Sequence, residues 1–170
     1  MTAIEALRRL LGLQLVWSTN AADMREFGFA SPTPSGTSRG EWGLHIQCPW
    51  RIEGQNHIIT GDSDWFELRD DDQAPARDWN PGAGGSLQEA RLRQLLRDHD
   101  DSHRVLQNTT DQLIVEDVDA DSCGGACIKL SGEIQLRLFP TGSRGESWRL
   151  FEKGDLESHY VSEPEEPVDE

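Results

Sequence analysis

Three sets of side chains in this chain have the types and spacing that chemistry uses. The first lies in the run Leu44-His45-Ile46-Gln47-Cys48-Pro49-Trp50-Arg51-Ile52, where an imidazole, an amide and a guanidinium (His45, Gln47, Arg51) fall on one face of an alternating segment. A guanidinium in such company suits a carboxylate or a phosphate, because its planar fork of donors matches two acceptor oxygens. Burial of that face under a helix or a partner, with Arg51 paired to one of the chain's own acids, accounts for the same residues. The second set is His99, His103, Cys123 and Cys127, two pairs each four apart. Imidazoles one helical turn apart and two thiolates are a possible tetrahedral zinc set. Cys-x3-Cys is an uncommon half-site, however, and Asp98, Asp100 and Asp101 give the histidines an ordinary solvated setting. The third set, Asp117, Asp119 and Asp121, matches the first, third and fifth ligands of a calcium loop. Ser122 stands where that loop needs glycine and Ile128 where it needs a bidentate glutamate, so an acidic turn between strands is the simpler account.

Nucleophilic catalysis finds no frame. The chain has no Gly-x-Ser-x-Gly elbow, and Cys48 falls on the apolar side of its segment, where a thiol is inert. Cys123, before Gly124-Gly125, is better placed for redox chemistry with Cys127, but its acidic surroundings oppose thiolate formation. The glycines at 82–85 precede a helix start yet lack the Lys-Ser/Thr of a phosphate cradle. No catalytic residue, metal ligand or cofactor is therefore assigned; His45, Gln47, Trp50 and Arg51 are the candidates for contact with a ligand or partner.

The elements that must position these residues follow from hydrophobic period. From Trp42 to Ile52 the apolar residues Trp42, Leu44, Ile46, Cys48, Trp50 and Ile52 alternate with Gly43, His45, Gln47, Pro49 and Arg51, the pattern of a half-buried strand. Pro49 withdraws one ladder donor, which predicts an edge position or a bulge at Cys48-Pro49, and a bulge would re-aim Trp50 and Arg51. Thr2-Ala3-Ile4-Glu5 and Ser86-Leu87-Gln88-Glu89 both have capping-box form. The first opens a short helix ending near Gly12; the second opens an expected long helix over 87–107 through Leu92, Leu95, Leu96, Val105 and Leu106. Alternating runs at 13–17, 24–29, 58–60, 65–68, 113–118, 128–130, 133–139, 147–151 and 159–161 read as strands, and 31–40 and 69–85 as loops. With no βαβ rhythm, this predicts an α+β fold: a bent, mainly antiparallel sheet or partly open barrel, with a short N-terminal helix and one long central helix. Residues 1–161 are expected to form a single domain, and 162–170 an acidic tail without fixed structure.

The 31 acidic and 16 basic residues leave a formal charge of −15, and residues 154–170 hold seven acids and no Lys or Arg. Such a chain repels nucleic-acid phosphates and anionic membranes; its acidity keeps it soluble, which is the simpler account, and can also steer basic partners toward it. The first apolar run is interrupted by Glu5, Arg8 and Arg9, and no run is long enough to span a bilayer. Three cysteines, an odd number, fit a reducing compartment, so a cytoplasmic location is expected.

The Leu44–Ile52 words, with Asp64 downstream and Leu138-Phe139-Pro140 and Ser147-Trp148-Arg149-Leu150-Phe151 near the end, resemble an uncharacterised family of small bacterial proteins with no known activity. In general style, small, acidic and carrying tryptophan-bearing strands, the chain is also similar to immunity proteins of bacterial toxin systems. The expectation is a non-enzymatic interaction protein, immunity- or adaptor-like, that meets a protein partner or a second copy of itself. The alternative is a small-ligand-binding or enzymatic domain using the face of His45, Gln47 and Arg51.

Overall fold

A computed structural model gives the architecture, and it describes residues 1–22, 24–32, 41–69, 85–100, 105–155 and 158–163. A helix, α1 (Ala3–Leu7), runs into a 3-10 turn at Arg8–Leu10. The strands are β1 (Gln14–Ala21), β2 (Met24–Ala30), β3 (Trp42–Ile46), β4 (Trp50–Glu53), β5 (Ile58–Gly61), β6 (Leu106–Gln107), β7 (Val115–Ala120), β8 (Ala126–Leu130), β9 (Ile134–Leu138), β10 (Trp148–Glu152) and β11 (Tyr160–Ser162). The second helix, α2 (Leu87–Leu96), packs beside β5 and a 3-10 turn at Asp62–Phe66. One sheet has the order β11-β10-β3-β2-β1-β6 and the other β5-β4-β9-β8-β7; every pairing is antiparallel.

The two sheets meet at two seams. On one side, Leu15 N–H donates to the Leu113 carbonyl and Val115 N–H to that of Leu13, around a bridge between Gln14 and Ile114. On the other, the chain passes from β3 in the first sheet to β4 in the second through Gln47-Cys48-Pro49. The alternation of the sequence survives this crossing, so Leu44, Ile46, Cys48, Trp50 and Ile52 are all buried. What the alternation conceals is the break. The successive amides of Gln47 and Cys48 both donate to the Ser147 carbonyl, the pattern of a bulge, and Pro49, with no N–H to give, ends the ladder to β10. The Pro49 carbonyl then accepts from Phe139, which starts the ladder to β9.

Side chains from both inner faces fill the space between, with Phe27 and Trp50 in edge-to-face contact at 5.4 Å. Trp148, fully buried, donates its indole N–H to the Gly124 carbonyl at 2.8 Å, tying β10 to the turn between β7 and β8. That turn explains the Gly124-Gly125 pair: Gly124 has φ +85°, and a Cβ on Gly125 would lie 2.3 Å from the Asp121 carboxylate.

The open antiparallel sheets and the short N-terminal helix match expectation, including the reciprocal Thr2/Glu5 capping box. The long central helix does not form. α2 ends at Leu96 because Arg97 takes the left-handed conformation (φ 53°), and Asp98 then accepts from the Asp100 and Gln107 amides, drawing Leu106 out as a strand against Ser18. Residues 62–66 form a 3-10 turn where a strand over 65–68 is expected, because Asp64 accepts from Thr60 and Gly61 and tightens the chain. Ser162, assigned to the tail, is buried and paired with Trp148 in β11; residues 164–170 lie outside the described residues.

Candidate functional site

The four candidate residues occupy three environments. His45 lies on the outer face of the first sheet, its Nε2 3.2 Å from Glu26 Oε1 and its ring edge-on to Phe151 at 4.5 Å. Gln47 is exposed at the corner between the sheets. Trp50 is 4% exposed and belongs to the core, so it offers no surface to a partner. Arg51 stands on the outer face of the second sheet, donating from Nε to Glu53. The structure does not bring His45, Gln47 and Arg51 onto one concave face, because the corner at Pro49 carries each end of the segment into a different sheet.

It does bring Arg51 beside Arg137. The two are direct cross-strand partners on β4 and β9, Arg137 is paired in turn with Cys127 on β8, and Cys127 with Asp119 on β7. Both guanidinium groups lie over the Phe139 ring, at 4.9 and 5.7 Å from its centroid. Glu53 is their shared counter-ion, hydrogen-bonded to Arg51 and 3.9 Å from Arg137. Sequence alone does not reveal this pair, since four strands, β5 to β8, lie between Arg51 and Arg137 along the chain and only the register joins them.

The metal candidates are placed differently from a ligand set. Asp117 is ion-paired with Lys129 at 2.7 Å, and Asp121 accepts from the Cys123 and Gly125 amides at 2.8 and 2.9 Å. Cys127 donates its thiol to Gln135 from β8, Cys123 is exposed in the preceding turn, and His103 lies outside the described residues. Among the described residues, no three His, Cys, Asp or Glu side chains are grouped as a metal would require.

A polar centre that the sequence does not announce lies under α2. Arg25 of β2 points inward, is 2% exposed, and donates through Nη2 to Glu89 Oε1 at 2.5 Å and to Gln88 Oε1 at 2.6 Å. Gln88 passes the connection on to the Gly61 carbonyl at 2.8 Å, and the ring of Trp65 lies 6.0 Å from the guanidinium. Ser86 caps α2 by accepting from the Glu89 amide, but the Glu89 carboxylate, which a full capping box returns to the cap, is turned onto Arg25. Burial lowers the Arg25 pKa and the adjacent carboxylate opposes it.

Comparison with known proteins returns nothing: no known family, curated protein or solved structure matches this chain.

The remaining electrostatics follow burial. The Cys48 thiol is pushed up to about 11, first by burial and further by Asp62, and Asp62 itself is raised by its own burial. Asp62 opens the 3-10 turn, in which Trp65 is half-buried toward Arg25 while Phe66 is left 72% exposed. Asp64 and Glu67 flank that ring in sequence, and residues 54–68 contain no Lys or Arg.

Proposed function

We propose that the protein is a non-enzymatic interaction protein of immunity or adaptor type, acting in the cytoplasm on a basic protein partner. The observation that carries this reading is Phe66, a large apolar ring standing out of a hydrogen-bonded turn among Asp62, Asp64 and Glu67. Aromatic anchors with a charged surround are how interfaces concentrate their binding energy, and a fixed turn presents such an anchor at little entropic cost. The formal charge of −15 supports the sign of the partner, because it accelerates encounter with a basic surface and opposes both nucleic acid and a second copy of this chain. Among the described residues, no helix is long and apolar enough to cross a membrane.

The test is to capture basic proteins on the immobilised chain, beginning with the products of adjacent genes, and to measure each by calorimetry against wild type and Phe66→Ala. The reading expects Phe66→Ala to weaken the cognate complex by at least about tenfold, with association slowing as salt is raised. A complex that forms equally well without the Phe66 ring, or whose rate ignores salt, overturns it.

A further inference from the structure

We propose that Arg51 and Arg137 form a binding site for an oxyanion, a carboxylate or phosphate group, on the outer face of the second sheet. Directly opposed cross-strand residues have Cβ atoms about 5 Å apart, and like charges at that separation oppose sheet formation. The chain has 31 acids with which to relieve the repulsion, yet among the described residues a single carboxylate, Glu53, serves the two guanidinium groups. Glu53 is hydrogen-bonded to Arg51 only; at 3.9 Å, Arg137 is beyond hydrogen-bond distance. Two arginines offer ten N–H donors, and one carboxylate occupies a fraction of them. Both side chains remain open to water, Arg51 at 40% and Arg137 at 43%.

The surroundings hold the donors in place. Phe139 lies beneath both guanidinium planes, and two strands of one ladder fix their separation. Of the other charged groups on this face, Lys129 is paired with Asp117 at 2.7 Å, and Asp119 accepts from the Ala120 amide. Glu53 is then the resident occupant, and an incoming oxyanion shares or takes its place. The ligand oxygens would bridge Arg51 and Arg137 as the fork geometry of the guanidinium favours. Nothing in this depends on the Phe66 surface.

The test follows the arginine Nε–Hε resonances of the full chain by NMR during titration with inorganic phosphate or glutarate, with sodium chloride at matched ionic strength as reference. The expected result is a concerted, saturable shift of Arg51 and Arg137 with a midpoint of about a millimolar, as two solvent-exposed charged contacts allow. Whichever probe saturates lower names the class of the oxyanion. Arg137→Lys keeps the charge and removes the fork, and it is expected to weaken binding by at least about fivefold. Glu53→Gln removes the competitor and is expected to tighten binding by a similar factor, a gain that a purely structural ion pair does not produce. Shifts that chloride reproduces, failure of both probes to saturate, or a Glu53→Gln variant that binds no tighter each overturn the proposal. Phe66→Ala leaves this titration unchanged, so the two functional proposals fail separately.

Discussion

Replacing Glu89 by alanine isolates the buried centre under α2. Alanine is a good helix former, so α2 loses little intrinsic propensity. The loss falls on Arg25, which is 2% exposed and among the described residues keeps hydrogen bonds only to Gln88 at 2.6 Å and, at 3.4 Å, to Ser18, beside the ring of Trp65. Its Nε already has no partner among the described residues. Removing one member of a buried ion pair leaves the other uncompensated, at about 3–5 kcal/mol. Against a total stability of about 5–15 kcal/mol, that is a large share. For a domain of this size it corresponds to a fall in Tm of about 6–20 °C. Urea unfolding followed by tryptophan fluorescence measures it, with an unchanged slope showing that the same surface is still exposed. Arg25→Met combined with Glu89→Leu should recover most of the loss, because the penalty comes from the orphaned charge rather than from the absent bond. A Glu89→Ala protein within about 1 kcal/mol of wild type would mean that the guanidinium finds water or another acid, and the account of this centre fails.

Three further outcomes follow from the geometry. A Cβ on Gly28 would lie 2.1 Å from the Trp17 ring, so Gly28→Ala should cost about 1–3 kcal/mol in urea unfolding and be partly rescued by Trp17→Leu; a neutral Gly28→Ala refutes the packing. Lys129 beside it, by hydrogen bond and charge, holds the Asp117 carboxyl below the usual carboxylate range. Its stabilising effect is therefore present above the unfolded-state value and fades as pH falls through the lowered folded-state one; carboxyl NMR should find Asp117 titrating higher in Lys129→Gln. Thiol labelling of the native protein at pH 8 should modify exposed Cys123 first, Cys127 more slowly and Cys48 only on unfolding, since burial holds the Cys48 thiol up near 11; early labelling of Cys48 contradicts its placement.

The parts of this molecule that were legible in its sequence are those decided by local chemistry. Period-two alternation marks most of the strands, though not β6 nor the 3-10 turn at 62–66, and it sorts Trp50 from Arg51 by face; Thr2 with Glu5 announces the first helix. The helix over 87–107 failed because Val105 and Leu106 keep a helical spacing by coincidence, while the side chain of Asp98 and the left-handed turn at Arg97 decide where it stops. Arg25 was invisible because a charged residue at an inward position looks like an interruption until its partner, 64 residues away, is known. Glu89 does mark the start of a helix, yet its carboxylate serves a different element. Arg51 stands out in its segment while its companion Arg137 does not, because sheet register is a property of the folded chain alone.

The seam between Gln14 and Ile114 has a consequence for how the chain comes to be made. β1 finds β2 within a few residues, but its other neighbour at this seam is synthesised about a hundred residues later. Until then the inward-facing Leu13 and Leu15 have no second wall, and the seam's amides and carbonyls have only water. Closure at such separation carries a loop entropy that local pairing does not, so the circuit of strands joins late. Residues 13–15 are thus an adhesive stretch in an unfinished chain, covered only when the C-terminal half of the fold arrives.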